Sequence, residues 1–142
     1  LQSAARELRA RCPSMAVLPC FLWSGVNSLN DLIPVSEVEK GLHAGLAETS
    51  LMLSIEPDLV GPDRPFDGDL MFEPPSGWSL EGPSPCAWMS QDLSRTGVIG
   101  DSRDSNPLLG GQIEEALVDH WVNLLTSLLT SSWPGSSSAE TL

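Results

Sequence analysis

The chain has 142 residues, which suits one domain of roughly 100–200 residues and excludes two ordinary ones. Nineteen Asp and Glu against seven Lys and Arg give a formal net charge of −12, so electrostatics disfavour binding to nucleic-acid phosphates or anionic lipids. Hydrophobic residues make up 41% of the chain, which excludes the low hydrophobicity of a disordered protein, while 12 Gly and 12 Pro predict long irregular loops.

The first part of the chain has the pattern of a helix followed by a buried strand. Apolar residues recur at helical spacing from Leu1 to Leu8, which predicts an amphipathic helix that ends before Pro13. The stretch from Met15 to Trp23 is almost entirely apolar, which is typical of a strand buried on both faces of a parallel sheet. Together these two patterns indicate an α/β unit.

Three properties of the sequence bear on where the protein works. The longest mostly apolar stretch, 15–26, is interrupted by proline and glycine and is shorter than a membrane helix requires. The first residues lack the basic and then apolar regions of a secretory signal. Cys12, Cys20 and Cys86 lack the spacing of a metal site, so three reduced thiols are the simplest interpretation. We therefore expect a cytoplasmic protein with no membrane partner.

The middle of the chain alternates irregular segments with regular structure. Residues 27–41 are expected to form an irregular polar segment, and apolar positions predict a helix over 46–55 that Pro57 ends. Prolines and glycines punctuate 61–82, which predicts a long loop. Gly97–Asp101 has the pattern of a short strand that leads into a turn.

The last part of the chain contains the clearest helical pattern. Apolar residues recur at nearly every fourth position from Ile113 to Leu128, opposite acidic residues, and predict the helix that closes the domain. Residues 1–132 are expected to form the α/β domain, and residues 133–142, rich in Ser and Gly, a disordered tail.

His43 is the residue best placed for chemistry, because glycines bracket it just before a predicted helix. A helix N-terminus disfavours a neighbouring imidazolium and keeps the ring ready to accept a proton. Glu48 follows five residues later, about 140° away in a continuous helix, so the two side chains meet only if the chain turns at Ala44–Gly45. If they meet, the carboxylate orients the imidazole for general acid–base catalysis. The alternative is that Glu48 only stabilises the helix terminus.

Other candidate residues give weaker signals. His120 lies inside the closing helix, where a structural role is the simpler interpretation. Trp23, like Trp78 and Trp88, is equally compatible with the core and with the wall of a pocket. Because the chain has only two histidines, it cannot build a metal site mainly from imidazoles, and we assign no metal ligand to it.

Several motifs occur together in a recognisable order. Residues 43–50 read His-Ala-Gly-x-x-Glu-Thr-Ser and are followed by an apolar helix and by Pro-Asp-Leu-Val at 57–60. With Thr-Gly-Val-Ile-Gly-Asp at 96–101 and the opening helix at 1–8, this pattern resembles the creatininase (creatinine amidohydrolase) family over most of residues 1–130. The resemblance implies a three-layer α/β/α fold with a mostly parallel sheet, of which this chain would be the C-terminal half.

The same resemblance implies an activity. Creatininase-like proteins hydrolyse a C–N bond of a cyclic amide or formamide with one or two divalent metals, commonly zinc or manganese. By resemblance, His43 transfers the proton, Glu48 is its partner in the motif and Gly45 gives the close turn. The metal ligands are expected in an N-terminal half that precedes Leu1, so that no metal is expected on this chain alone.

The resemblance also implies partners, namely a small-molecule amide substrate and further copies of the complete chain in a homo-oligomer. The sequence leaves one alternative open. The chain could be a non-catalytic remnant, or one subunit of a split protein that needs a partner chain to supply the metals.

Overall fold

A computed structural model describes residues 1–67 and 72–133 of the chain, and of Asp67 only the backbone. The chain divides into two compact units, one formed by residues 1–26 with those from Leu117 onward, the other by residues 27–116. The disordered tail predicted over 133–142 lies outside the described residues from position 134 onward.

The first unit begins with a helix, as predicted, but the strand predicted after it is wrong. Helix α1 spans Gln2–Arg11 and ends before Pro13. Residues 15–23 form turns and irregular backbone, and Phe21 is exposed. Within the described ranges no strand pairs with this segment, and Pro19 has no backbone N–H to donate to one. Apolar composition without a neighbouring strand is not sufficient to form a strand.

The second unit contains most of the short elements. The segment 27–41, predicted to be irregular, instead contains a 3₁₀ helix at Asn27–Asp31 and helix α2 at Val35–Lys40. Helix α3 spans Leu46–Ile55, as the apolar positions predict, and a 3₁₀ helix at Pro57–Leu59 follows it. The short helix α4, Ser90–Leu93, follows the loop region later in the chain.

The sheet is much smaller than the resemblance implies. Strands β1, Phe66–Asp67, and β2, Gly100–Asp101, pair antiparallel, and His43 forms an isolated antiparallel bridge with Ile99. The described part of the chain is mainly helical, and the mostly parallel sheet is not found in it. A parallel sheet needs neighbouring strands to supply its backbone hydrogen bonds, and the apolar segment at 15–23 has none there.

Helix α5, Pro107–Leu129, is the longest element and begins earlier than the spacing from Ile113 indicates. The Asn106 side chain accepts the Leu109 N–H at 2.9 Å through Oδ1, and a proline occupies the first helical position, so the helix start is capped. Among the residues described, neither this helix nor any other is both long and apolar enough to cross a bilayer.

The core of the second unit lies where α3 meets the beginning of α5. Gly110 lies so close to α3 that a Cβ on it would overlap the carbonyl group of Ser50. Ser50 is fully buried, and its Oγ accepts the N–H of Asn106 at 3.1 Å. Ile99 and Ile113 are fully buried as well. This packing fixes α3, at whose first turn the candidate site lies.

Candidate active site

The backbone of His43 is held by hydrogen bonds to a buried residue. The His43 N–H donates to the Ile99 carbonyl at 3.2 Å, and the Ile99 N–H donates to the His43 carbonyl at 2.8 Å. Ile99 is 1% exposed, whereas the His43 side chain is 54% exposed. The core therefore holds the backbone in place while the imidazole is open to solvent and to a ligand.

The chain turns between His43 and α3, as a meeting with Glu48 requires. Ala44 has a φ of +53°, in the left-handed region that costs a non-glycine residue about 1–2 kcal/mol. The Thr49 hydroxyl donates to the Ala44 carbonyl at 2.9 Å, and the Thr49 N–H donates to the Gly45 carbonyl at 3.1 Å. These bonds stabilise the strained turn at the residue that follows the candidate base.

The Glu48 side chain extends back over this turn and lies close to both the Ala44 N–H and the His43 imidazole. Its Oε2 accepts the Ala44 N–H at 2.6 Å and lies 3.9 Å from His43 Nδ1. The latter distance suits an ion pair with a protonated imidazole and is too long for a hydrogen bond. The structure thus brings the two side chains together. Glu48 also accepts the N–H of Ala44, just before α3, so its role at the helix terminus does not exclude a role beside His43.

A second carboxyl group, which the sequence analysis missed, lies beside this turn. Glu37 of α2 is 7% exposed, and its Oε1 accepts the Ala47 N–H in the first turn of α3 at 2.9 Å. Burial raises the pKa of Glu37, although the N–H groups of Ala47 and Leu46 lower it in part. The carboxylates of Glu48 and Asp101 raise this pKa further. Glu37 is therefore a buried acid whose proton affinity exceeds that of an exposed glutamate.

Three glycines leave room for the Glu37 carboxyl group. A Cβ on Gly41 would overlap the carboxyl carbon, and one on Gly45 would lie 2.6 Å from Oε1. Gly100, with a φ of +136°, is less tightly packed, since a Cβ on it would lie 3.0 Å from the Gly41 Cα and 3.4 Å from Glu37 Oε2. Gly45 was expected only to give the close turn. The recurrence of glycine at 41, 45 and 100 is the one feature of the sequence that could have indicated a buried group between these segments.

Asp101 borders the site on the side of β2, and its carboxylate forms an ion pair with Arg103. Arg103 donates from Nε to Oδ1 at 2.9 Å and from Nη2 to Oδ2 at 2.7 Å. These hydrogen bonds lower the pKa of Asp101 below its ordinary value. The same guanidinium lies over the Phe66 ring, 3.9 Å from its centroid. Asp101 is thus an ionised, paired carboxylate and not a free base.

The structure does not assemble every residue that the sequence singled out. Trp23 belongs to the first unit, whereas His43, Gly45 and Glu48 belong to the second, so a place for Trp23 in the wall of a pocket stays a prediction. In the second unit, Trp88 donates from Nε1 to the carbonyl of a loop residue at 3.0 Å and so stabilises the loop.

The described residues do not form a complete metal site. Across 1–67 and 72–133, no group of three or more His, Cys, Asp or Glu side chains could hold a metal ion.

Comparison with known proteins places the site within one family. A family model described as "Creatininase: Creatinine amidohydrolase" matches residues 1–125, which include the His43–Glu48 turn, Glu37 and β2. No curated protein and no solved structure shows significant similarity to the chain.

Proposed function

The chain belongs to the creatininase family, and we propose that it serves the metal-dependent hydrolysis of a C–N bond in a cyclic amide or formamide. Family membership supports an amidohydrolase-type function, an α/β fold and a general dependence on metals. The observation that carries the finer proposal is the turn in which His43 Nδ1 lies 3.9 Å from Glu48 Oε2 while the imidazole is open to a ligand.

The pair of His43 and Glu48 suits the transfer of a proton to the leaving nitrogen. When an amide C–N bond breaks, the nitrogen departs as an amine and requires a proton. In our proposal the His43 imidazolium supplies it from Nε2, because Nδ1 is the nitrogen beside Glu48. The Glu48 carboxylate, which lies beside Nδ1, restricts the orientation of the ring. The water molecule consumed in the hydrolysis supplies the oxygen that replaces nitrogen on the carbonyl carbon and the proton that restores His43.

We further propose that zinc or manganese is the cofactor, held by residues other than those that the structure describes. Two carboxyl groups that border the site already have partners, since Glu37 accepts the Ala47 N–H and Asp101 pairs with Arg103. The proposed three-layer fold with a mostly parallel sheet likewise requires strands beyond the described ones. In this proposal His43 only holds and transfers a proton, and Glu48 only positions the His43 ring.

From a cavity beside the site we propose that the loop segments lining it help to decide which amide is bound. It has a volume of about 440 Å³ and lies between α2 and the loop segments at 73–74 and 79–81. Leu42, the residue before His43, lines it together with Lys40. A volume of this size falls within the usual range of small-molecule sites. We propose a small-molecule amide as the substrate.

The remaining parts of the proposal concern location and assembly. We propose a cytoplasmic protein that forms a homo-oligomer when complete and binds neither nucleic acid nor membrane. The net charge of −12 supports the exclusion of polyanionic partners.

The two histidines of the chain provide a matched test of the proposed function. The assay follows hydrolysis of a panel of cyclic amides and formamides by mass spectrometry, with the intact protein, including the residues that hold the metal, purified in zinc or manganese. His43→Ala should reduce the rate about 10²–10⁴-fold, the usual contribution of a general acid or base. His120→Ala, in α5, should leave the rate unchanged. Glu48→Gln should lower kcat more than it raises KM, because Glu48 acts on His43 and not on the substrate.

Two outcomes of this assay contradict the proposal. The role of His43 is wrong if His43→Ala hydrolyses the panel as fast as the unmodified protein does. The activity itself is wrong if the intact, metal-loaded protein without substitutions hydrolyses no member of the panel.

A further inference from the structure

We propose that Glu37 is a positioning residue for the His43–Glu48 pair, because its buried carboxyl group takes the place of the capping side chain that Gly45 lacks. This inference rests on the proposed function, in which His43 and Glu48 are the acting pair. Neither the family match nor any motif in the sequence assigns a role to Glu37.

The first turn of α3 needs an acceptor that its own sequence does not provide. The first N–H groups of a helix have no partner within the helix, and the residue before the helix usually caps them with a side-chain oxygen. That residue is Gly45 here, which has no side chain. Glu37 supplies the missing acceptor from α2, where its Oε1 receives the Ala47 N–H at 2.9 Å. A hydrogen bond from the first turn of α3 therefore links this helix to α2.

This hydrogen bond affects the His43–Glu48 pair directly, because Ala47 and Glu48 are adjacent residues. Glu48 returns from α3 to the Ala44 N–H at 2.6 Å, and Ala44 follows His43. The Glu37 carboxyl group thus stabilises the buried side of the turn, and the Glu48 carboxylate stabilises its exposed side. A shift of the first turn of α3 would move Glu48 Oε2 away from both the Ala44 N–H and His43 Nδ1.

The packing around Glu37 leaves it little freedom to move. The carboxyl group fills space that Cβ atoms on Gly41 and Gly45 would occupy, and its Oε2 would lie 3.4 Å from a Cβ on Gly100. Removing the side chain would therefore open a void between three segments and leave the buried Ala47 N–H without its acceptor. The left-handed Ala44 depends on this surrounding structure to keep its conformation.

Amide hydrogen exchange, measured residue by residue by NMR on the 142-residue chain, tests this inference without a substrate. Glu37→Ala should lower protection of the Ala47 N–H about tenfold or more and should lower that of the Ala44 N–H as well, although Glu48 remains in place. Glu37→Gln should retain both, because its amide oxygen can accept the same hydrogen bond. Glu39→Ala, on the same helix, is the control and should change neither.

A general loss of stability would give a different pattern. It would lower protection by the same factor at the Gly110 N–H, which donates to the Asn106 carbonyl at the start of α5. An equal loss at Gly110 and Ala44 would overturn the inference, as would unchanged protection at Ala44 or a failure of Glu37→Gln to restore it.

A second variant keeps the test decisive if Glu37→Ala does not fold. Gly45→Ala displaces the Glu37 carboxyl group from the other side and should give the same local pattern, whereas Gly61→Ala, in open space, should not. Equal exchange profiles for the two glycine variants would also overturn the inference. Because these measurements need no catalysis, they separate a failure of the positioning role from a failure of the proposed hydrolysis.

Discussion

Gly110 of α5 lies directly against the backbone of Ser50 in α3, so closely that the added Cβ of an alanine would overlap the Ser50 carbonyl group. Ser50 is fully buried, and its hydroxyl accepts the Asn106 N–H at the start of α5. The two helices are thus joined by a close backbone contact and by a hydrogen bond. Since α3 begins at the His43–Glu48 turn, this contact helps to determine where the site lies.

The first prediction tests this helix contact with adjacent glycines. Gly110→Ala should destabilise the fold by about 1–3 kcal/mol, because the new Cβ meets backbone atoms that cannot move aside easily. Gly111→Ala is the matched control, since its Cβ would meet only the Ser54 hydroxyl at 3.7 Å. It should gain up to about 1 kcal/mol from the better helix propensity of alanine. Urea unfolding measures both, and a Gly110→Ala variant as stable as Gly111→Ala would contradict the contact.

The second prediction concerns the pH dependence of stability. Because burial raises the pKa of Glu37, the folded protein binds this proton more tightly than the unfolded chain does. The contribution of Glu37 to stability is therefore full below the ordinary pKa of a glutamate and is lost as the pH rises through the raised value. The carboxylates of Glu48 and Asp101, which face Glu37, raise its pKa as burial does.

Glu37→Gln removes this titration while keeping an acceptor for the Ala47 N–H. Relative to the unmodified chain, the variant should gain in free energy of unfolding as the pH rises from about 4 to about 8. Glu39→Gln, on the same helix, should show no such gain. Urea unfolding at several pH values measures the difference. If the free energy of unfolding of Glu37→Gln minus that of the unmodified chain stays constant or falls with rising pH, burial does not raise this pKa.

The third prediction concerns the strained residue beside the candidate base. Ala44→Gly should be neutral or stabilising by up to about 1 kcal/mol, because glycine adopts a positive φ without the penalty that alanine pays. Ala116→Gly, within α5, should instead lose about 1 kcal/mol. Thermal unfolding measures both variants. A loss of stability in Ala44→Gly as large as that in Ala116→Gly would mean that Ala44 is not left-handed.

The fourth prediction concerns the partner of Asp101. Arg103→Leu should raise the pKa of Asp101 towards its ordinary value, because it removes the hydrogen bonds that lower it. Arg103→Lys should have a smaller effect, since lysine keeps the charge but not the two-pronged geometry. The ¹³C shift of the Asp101 carboxyl group, followed against pH, measures both. Arg64→Lys is the control, and an unchanged Asp101 midpoint in Arg103→Leu would rule out the pairing.

Local patterns accounted for helices α1 and α3, for most of α5 and for the turn. Apolar spacing and the prolines at 13 and 57 mark helices α1 and α3, because helical periodicity and the steric effect of proline act over a few residues. The spacing of His43 and Glu48 likewise implies a turn at Ala44–Gly45 as the condition for their meeting. Residues close in the sequence can be judged in this way without knowledge of distant segments.

The same kind of pattern failed for the segment at 15–23. Its composition is that of a buried strand, but the described residues offer it no neighbouring strand, and it adopts irregular backbone instead. Backbone hydrogen bonds between strands depend on segments far apart in the sequence, which composition alone does not reveal.

Glu37 shows most clearly what the sequence by itself could not determine. A glutamate in a polar stretch such as 35–40 is ordinarily exposed, and nothing local distinguishes Glu37 from Glu39. The sequence determined helices α1, α3 and most of α5, the candidate pair of His43 and Glu48, and the family motif that contains them. Only the tertiary structure buried Glu37, because glycines at 41, 45 and 100 bring three separate segments close enough to exclude water from its carboxyl group.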